Sequence, residues 1–270
     1  MVNTGMTMNK CSLFLLCAIA IAPQLHAQTA PAAPTAATAS TPAATEREAS
    51  WMTLLPNVAS DQKQIWLFPR KLTKPRYIWP TLAVIGATAA LVALDPKDAP
   101  WFKNNSAFTG YNTALSGSNT QWATLAVPVA LYSAGLIRRD KRMKSTAILA
   151  GEAVGDVEIL TTVMKDITNR TRPAAIGTGQ SYSDTWFNSS GSFLRGHGSF
   201  PSGHTVAAFS VATVISRRYG RNHKWITLVS YGLASAVGFS RVTLSAHFIS
   251  DVFMGGALGY TISRFAVLHE

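Results

Sequence analysis

The hydrophobic positions of this chain form long apolar runs, and none shows the alternation of apolar and polar residues that is typical of β-strands. Six runs have the length and composition of α-helices: 78–94, 120–137, 145–168, 204–219, 225–243 and 247–265. Several are shorter than the roughly 20 residues of a usual membrane helix, but aromatic and basic flanks extend them. The pattern therefore predicts an all-α domain of six helices.

The residues before this domain change composition twice. Residues 1–27 have the charged flank, apolar core and small-residue cleavage site of a secretory signal peptide, with an uncleaved anchor as the alternative. Residues 28–50, rich in Ala, Pro and Thr, predict a disordered linker. Residues 51–76 indicate an amphipathic lead-in segment that lies on a protein or lipid surface. The helical domain then occupies residues 77–270.

The composition, with 47% hydrophobic residues, 14% charged residues and a net charge of +11, favours one helical domain behind a dispensable N-terminal segment. Basic residues concentrate in three segments outside or at the ends of the predicted helices: 70–76, 138–144 and 217–224. In an up-and-down bundle these segments fall at one end, which the positive-inside rule places in the cytoplasm. The opposite end would then face the periplasm. The charge needs no nucleic-acid partner, for which the sequence has no motif.

This topology contains one conflict. A cleaved signal peptide leaves residue 28 outside, whereas residues 70–76 must lie inside, and residues 51–68 are too polar to cross the membrane between them. Either the N-terminal segment is not translocated, or the domain is not a full six-span bundle and lies at a membrane surface or in the periplasm.

Two further patterns concern helix packing. Two pairs of glycines have the spacing that lets helices approach closely: Gly151/Gly155 and Gly255/Gly259. Glu152 and Asp156 share a helix face and suggest a metal pair. Without a histidine cluster, however, such carboxylates are more often hydrogen-bond partners between helices, and we expect no metal.

Three polar clusters interrupt the apolar pattern between residues 165 and 251. The first is KDITNRTRP at 165–173, the second is GSFPSGHT at 198–205, and the third comprises Ser240, Arg241, His247 and Asp251. A phosphoryl group in transfer spreads negative charge over its oxygens, so its catalysis needs fixed cations and backbone N–H groups. The clusters together indicate a phosphate site.

Each cluster supplies part of such a site. Lys165, Arg172 and Arg241 offer the cations. Ser202 and Gly203 directly precede an apolar helical run, so their backbone amides are expected at a helix N-terminus, where anions bind. The sequence therefore predicts a cage of cations and amides around phosphate.

The histidines carry the predicted chemistry. His247 and Asp251 are four residues apart at the start of a helical run, which allows the carboxylate to hold one imidazole nitrogen and leave the other free as a nucleophile. His204 is available as the general acid for the leaving oxygen.

At these positions the chain resembles the type 2 phosphatidic acid phosphatase and vanadium haloperoxidase superfamily, whose three signature motifs match in all three clusters. The resemblance implies a metal-independent phosphatase without cofactor on an all-helical bundle of six helices, embedded in a membrane. It also implies a phosphohistidine at His247, a general acid at His204 and an orienting carboxylate at Asp251. The phosphate would be held by five residues: Lys165, Arg172, Ser202, Gly203 and Arg241.

The resemblance leaves the substrate open. A phosphorylated lipid or polyprenyl pyrophosphate at the outer face of a membrane is expected. The alternatives are a soluble periplasmic enzyme related to class A acid phosphatases, which have Tyr where this chain has Phe200, a vanadate-dependent haloperoxidase, and an idle binding or transport module. The loop 174–200 is expected to form a lid, and its Trp186 and Phe187 to contact lipid or to pack.

Overall fold

A computed structural model describes residue 47, residues 49–188 and residues 195–269. The predicted signal peptide and most of the linker lie outside these residues, so the N-terminal domain boundaries stay predictions. The α-helices are α1 (Leu54–Trp66), α2 (Pro75–Asn104), α3 (Thr109–Ala114), α4 (Gly117–Ile137), α5 (Lys141–Thr168), α6 (Gly203–Tyr219), α7 (Lys224–Thr243) and α8 (Ile249–Ile262). Short 3₁₀ turns occupy 68–73, 106–108 and 173–175, and a π-turn extends α8 over 263–267.

The described residues contain no β-strand, which confirms the all-α prediction. Each of the six predicted helices has a counterpart, in α2 and in α4 to α8. Two boundaries were wrong. Helix α2 continues ten residues past Leu94, because the charge of Asp95 is buried against a partner instead of ending the helix. Helix α8 begins only at Ile249, so His247 lies in the preceding loop.

Consecutive long helices run antiparallel, and two hydrogen bonds mark the ends of α5 and α6. At one end Arg142 donates to the carbonyl of Arg218 over 2.6 Å. At the other end Thr168 Oγ1 donates to the carbonyl of Phe200 over 3.1 Å. The basic segments 138–144 and 217–224 therefore lie at the first end, and the three polar clusters meet at the second.

Two stretches of the described chain are long and apolar enough to cross a membrane: Pro75–Asn104 and Ser106–Ile137. The mean hydropathy of an 18-residue window is 1.8 in the first and 1.2 in the second. Large apolar side chains project outward from both stretches. Examples from α2 are Trp79, Leu82 and Ile85, and examples from α4 are Trp122, Val129 and Ile137. An apolar surface of this extent is typical of contact with lipid or with another protein.

The amphipathic lead-in segment forms α1, which packs against α5 through polar contacts. Asn57 donates to Glu152 over 3.2 Å and Gln62 donates to Asp156 over 2.9 Å. The two carboxylates thus serve as hydrogen-bond partners between helices, as expected. A third buried carboxylate, Asp61, joins them and pairs with Arg47, which also binds Glu152.

The two glycine pairs differ in the structure although their spacing is the same. A Cβ at Gly259 would lie 2.4 Å from the carbonyl oxygen of Val206, and one at Gly255 would lie 2.9 Å from that of Ser202. Helix α8 therefore approaches α6 as closely as the spacing predicted. At Gly151 and Gly155 a Cβ would meet nothing within 4 Å, so this pair makes no close helix contact.

Alanine should therefore have different effects on stability at the two glycine pairs. Gly259→Ala forces a methyl group against the backbone of α6 and should lower the free energy of unfolding by about 1–3 kcal/mol. Gly151→Ala fills open space within a helix and should leave stability unchanged or raise it by up to about 1 kcal/mol. Thermal unfolding of the two variants in the same detergent measures the difference. Equal midpoints would contradict the close approach of α8 to α6.

Candidate active site

The first cluster forms where α5 ends. Lys165 lies in the last turn, and Asn169 terminates the helix in the left-handed conformation with a φ of 36°. The chain then turns sharply, and Ser199 N donates to the carbonyl of Arg170 over 2.7 Å. This backbone bond places the second cluster directly beside the first.

The second cluster forms the N-terminus of α6, as predicted. The helix begins at Gly203, and Ser202 is its fully buried N-cap residue. A Cβ at Gly203 would lie 3.1 Å from Nζ of Lys165, so glycine leaves room for the ammonium group at the helix end. A cation and free helix amides thus converge here, which is the arrangement that binds an anion.

The third cluster places His247 differently from the prediction. Its Nδ1 donates to the backbone carbonyl of Ser199 over 2.7 Å, whereas the nearest oxygen of Asp251 is 3.6 Å away. The carbonyl, not the carboxylate, therefore fixes the ring. A proton on Nδ1 leaves Nε2 as the unprotonated nitrogen, and its role as nucleophile stays a prediction. Burial also lowers the pKa of His247, which favours the neutral imidazole.

Asp251 lies at the start of α8 and is fully buried. Its carboxylate accepts hydrogen bonds from Phe248 N over 2.9 Å, from Ser199 Oγ over 2.5 Å and from Arg170 Nη1 over 2.6 Å. Burial acts to raise its pKa, but His247, Arg170 and the hydrogen bond from Ser199 lower it below the usual value. A carboxylate anion therefore stands directly behind His247.

His204 and Arg241 both contact the turn that joins α3 to α4. Nε2 of His204 donates to the carbonyl of Gly117 over 3.0 Å, and the guanidinium of Arg241 donates to the carbonyl of Leu115. Burial and the nearby charge of Arg241 lower the pKa of His204 to about 4. His204 is therefore neutral at pH 7 before an anion binds.

Arg172 lies in the extended segment after α5, directly before Pro173. Its charge acts on Asp251 and His247, and it lies within electrostatic range of Lys165. The structure thus brings all eight predicted site residues to one end of the bundle. Their individual roles stay predictions.

Comparison with known proteins agrees with this arrangement. The sequence model of the PAP2 superfamily matches residues 144–269, which contain all three clusters. Residues 144–269 belong to the PAP2 superfamily. A lipid A 1-phosphatase of Porphyromonas gingivalis is 41% identical over 66 residues, which cover 24% of this chain and 15% of that relative.

This chain is also similar in part to a solved structure. That structure is a transmembrane PAP2-type phosphatidylglycerolphosphate phosphatase from Bacillus subtilis, with 20% sequence identity and a TM-score of 0.41. The likeness covers 80% of this chain and 91% of that one.

Several contacts around the site could not be read from the sequence or had no role predicted from it. Arg170 was part of the first cluster but had no assigned role, although it binds Asp251 directly. Ser199 holds both His247 and Asp251. The carbonyls of residues 115 and 117 carry no sequence signal, because every residue has one. Asp95 offered a signal, since a carboxylate within an apolar helix usually has a functional partner.

The loop 174–200 lies partly inside the site. Of its described residues, Thr185 and Ser199 are buried, and the ring of Trp186 lies over Arg170 with 4.3 Å between the guanidinium carbon and the ring centre. Trp186 therefore packs, whereas Phe187 is exposed. The lid function of this loop stays a prediction.

Proposed function

We propose that this chain is a metal-independent phosphatase that hydrolyses a lipid phosphomonoester or pyrophosphate through a phosphohistidine at His247. The observation that carries the proposal is the meeting of two histidines, three cations and a free helix N-terminus at one end of the bundle. Three fixed cations can neutralise the charge that other phosphatases neutralise with metal ions.

The bound phosphate would occupy the space between Lys165 and the first amides of α6. Support for this position comes from the 3.1 Å separation between Nζ of Lys165 and the position of a Cβ at Gly203. Arg241 and Arg172 would complete the cage. Arg241 already uses part of its guanidinium on Leu115, which fixes the orientation of the remaining donors.

In the first step Nε2 of His247 attacks phosphorus, an N–P bond forms and the bond to the leaving oxygen breaks. Asp251 stabilises the positive charge that develops on the imidazole. His204 gives the leaving oxygen its proton. In the second step His204 takes a proton from water, the hydroxide attacks phosphorus, and the N–P bond breaks to release phosphate and neutral His247.

The low pKa of His204 constrains this mechanism. A group with a pKa of about 4 holds little proton at pH 7 in the free enzyme. A phosphate anion bound beside it raises that pKa by Coulomb attraction, so His204 gains its proton together with the substrate. General acid catalysis is thereby coupled to substrate binding.

Two observations support a lipid substrate. The relative from Porphyromonas gingivalis is named for lipid A, a phosphorylated lipid. The outward face of α2 is apolar, and only 6% of the most apolar stretch of this helix is buried in the protein. A site at the end of such a helix would lie at the level of lipid headgroups. We further propose that this end faces the periplasm, because the basic segments 138–144 and 217–224 lie at the other end.

Phosphate release provides the test. The full chain in detergent should release phosphate from at least one of phosphatidate, phosphatidylglycerol phosphate, a polyprenyl pyrophosphate and lipid A, and excess chelator should change the rate by less than about twofold. Soluble phosphoesters should be poorer substrates. Activity that is lost with chelator and restored by magnesium would contradict the proposal. Faster turnover of soluble phosphoesters after release without detergent would favour a soluble acid phosphatase, and bromide oxidation with vanadate and peroxide would favour a haloperoxidase.

A further inference from the structure

Asp95, Arg170 and Asp251 form a buried ionic chain behind the site. Arg170 Nη2 is 2.7 Å from Asp95 Oδ2, and Arg170 Nη1 is 2.6 Å from Asp251 Oδ1. None of the three residues is more than 2% exposed. Asp95 belongs to α2 and precedes the segment that matches the PAP2 superfamily. The three ion-paired residues therefore join the first candidate membrane helix to the catalytic cluster.

The guanidinium of Arg170 is held on all sides. Ser250 Oγ accepts from Nη1 over 2.7 Å and donates to Asp95, while Thr185 accepts from Nε over 3.3 Å. The ring of Phe248 covers one region of the group, with 3.9 Å between the guanidinium carbon and the ring centre, and Trp186 also lies over it. Such a network fixes the position of Asp251, because each member has a partner.

The charges of Asp95, Arg170 and Asp251 do not cancel. Arg170 alone would neutralise Asp251, since the two form a direct ion pair at 2.6 Å. Asp95 engages the same guanidinium from the other side, so the three groups together carry a net charge of minus one. The imidazole of His247 becomes positive when it attacks phosphorus, and a net negative charge behind it stabilises that state.

We propose that Asp95 is a positioning residue for the phosphoryl transfer: it engages Arg170, leaves the negative charge of Asp251 available to His247, and ties α2 to the catalytic loop. This role rests on the proposed function. Asp95 does not touch substrate and acts only through Arg170 and Asp251.

A pH profile detects this role. The charged and titratable groups around His247 are Asp251, Arg172, Lys165 and His204, and Asp98 lines the same small cavity. Arg170 acts on His247 through Asp251, and Asp95 acts through Arg170. His247 must be neutral to attack, so kcat/KM falls at acid pH as it gains a proton. Asp95→Asn removes one negative charge, makes protonation of His247 harder and moves this acid limb to lower pH.

The experiment uses the full chain in detergent with the best substrate of the phosphate-release screen. Asp95→Asn should lower kcat about tenfold, change KM less than about twofold and move the acid limb down by about half a pH unit. Asp140→Asn is the matched control, because it removes the same charge at the opposite end of the bundle, and asparagine can keep the cap that Asp140 gives to α5. The substrate titrates identically in all variants and cannot cause the shift.

A charge-balanced double variant separates positioning from simple stability. Asp95→Asn with Arg170→Gln restores a net charge of minus one, so the acid limb should return toward its wild-type position. Identical acid limbs in Asp95→Asn, Asp140→Asn and the wild type, or a loss confined to thermal stability, would overturn the role of Asp95 and leave the proposed function standing. A wild-type chain that releases no phosphate would overturn the proposed function, and this role with it.

Discussion

His247→Ala should abolish turnover and covalent labelling together. No other group in the described site combines a buried carboxylate behind it with a free imidazole nitrogen, because Nδ1 of His247 is occupied by the Ser199 carbonyl and Nε2 is left to attack. Loss of a nucleophile of this kind costs on the order of 10⁴-fold or more in kcat. Rapid-quench experiments with a phosphorus-labelled substrate measure both the rate and the phosphoenzyme.

His223→Ala is the matched control for this variant. His223 lies at the N-terminus of α7, at the basic end of the bundle, so its loss should affect neither rate nor labelling. Asp251→Asn should fall between the wild type and His247→Ala, because it keeps His247 in place but removes the charge behind it. Labelled protein recovered from His247→Ala would show that another residue is the nucleophile.

His204→Ala should damage turnover in proportion to the difficulty of the leaving group. An alkoxide needs a proton to leave, and losing the general acid should slow its release roughly 10²- to 10⁴-fold. A nitrophenolate leaves without protonation, so the first step on a nitrophenyl phosphate should slow much less. The ratio of burst rates on the two substrates, compared between wild type and variant, measures the effect.

The low pKa of His204 adds a pH dependence to this prediction. Since the free histidine is neutral above about pH 4, the advantage of the wild type over His204→Ala on the alkyl substrate should grow as the pH is lowered from 8 to 6. It should stay constant on the nitrophenyl substrate. An equal loss on both substrates at every pH would show that His204 holds phosphate rather than protonating the leaving group.

The sequence alone determined the helical architecture and the location of the chemistry. Apolar periodicity is a local property, so all six long helices could be predicted from neighbouring residues. The polar clusters stood out because charged residues are costly in an apolar bundle unless they have partners. The basic segments 138–144 and 217–224 also fell at the end opposite the clusters, since helices joined by short connections alternate in direction.

Tertiary structure decided which groups become partners. Gly151/Gly155 and Gly255/Gly259 have the same spacing, but only the second pair faces another helix at close range. The sequence predicted Asp251 as the partner of His247, whereas the folded chain brings the Ser199 carbonyl closer. Backbone carbonyls are present at every residue, so no local pattern distinguishes those of Leu115, Gly117 and Ser199.

Asp95 shows why the sequence determines some of these features and only the tertiary structure determines the others. Its charge within an apolar helix reveals that it needs a partner, and that requirement is encoded locally. Its partner, Arg170, lies 75 residues further along the chain, and Asp251 lies beyond it. A pairing over such a separation depends on how α2, α5 and α8 pack together. The sequence therefore determined that a buried charge had to be balanced, and only the packing of the helices decided which residue balances it.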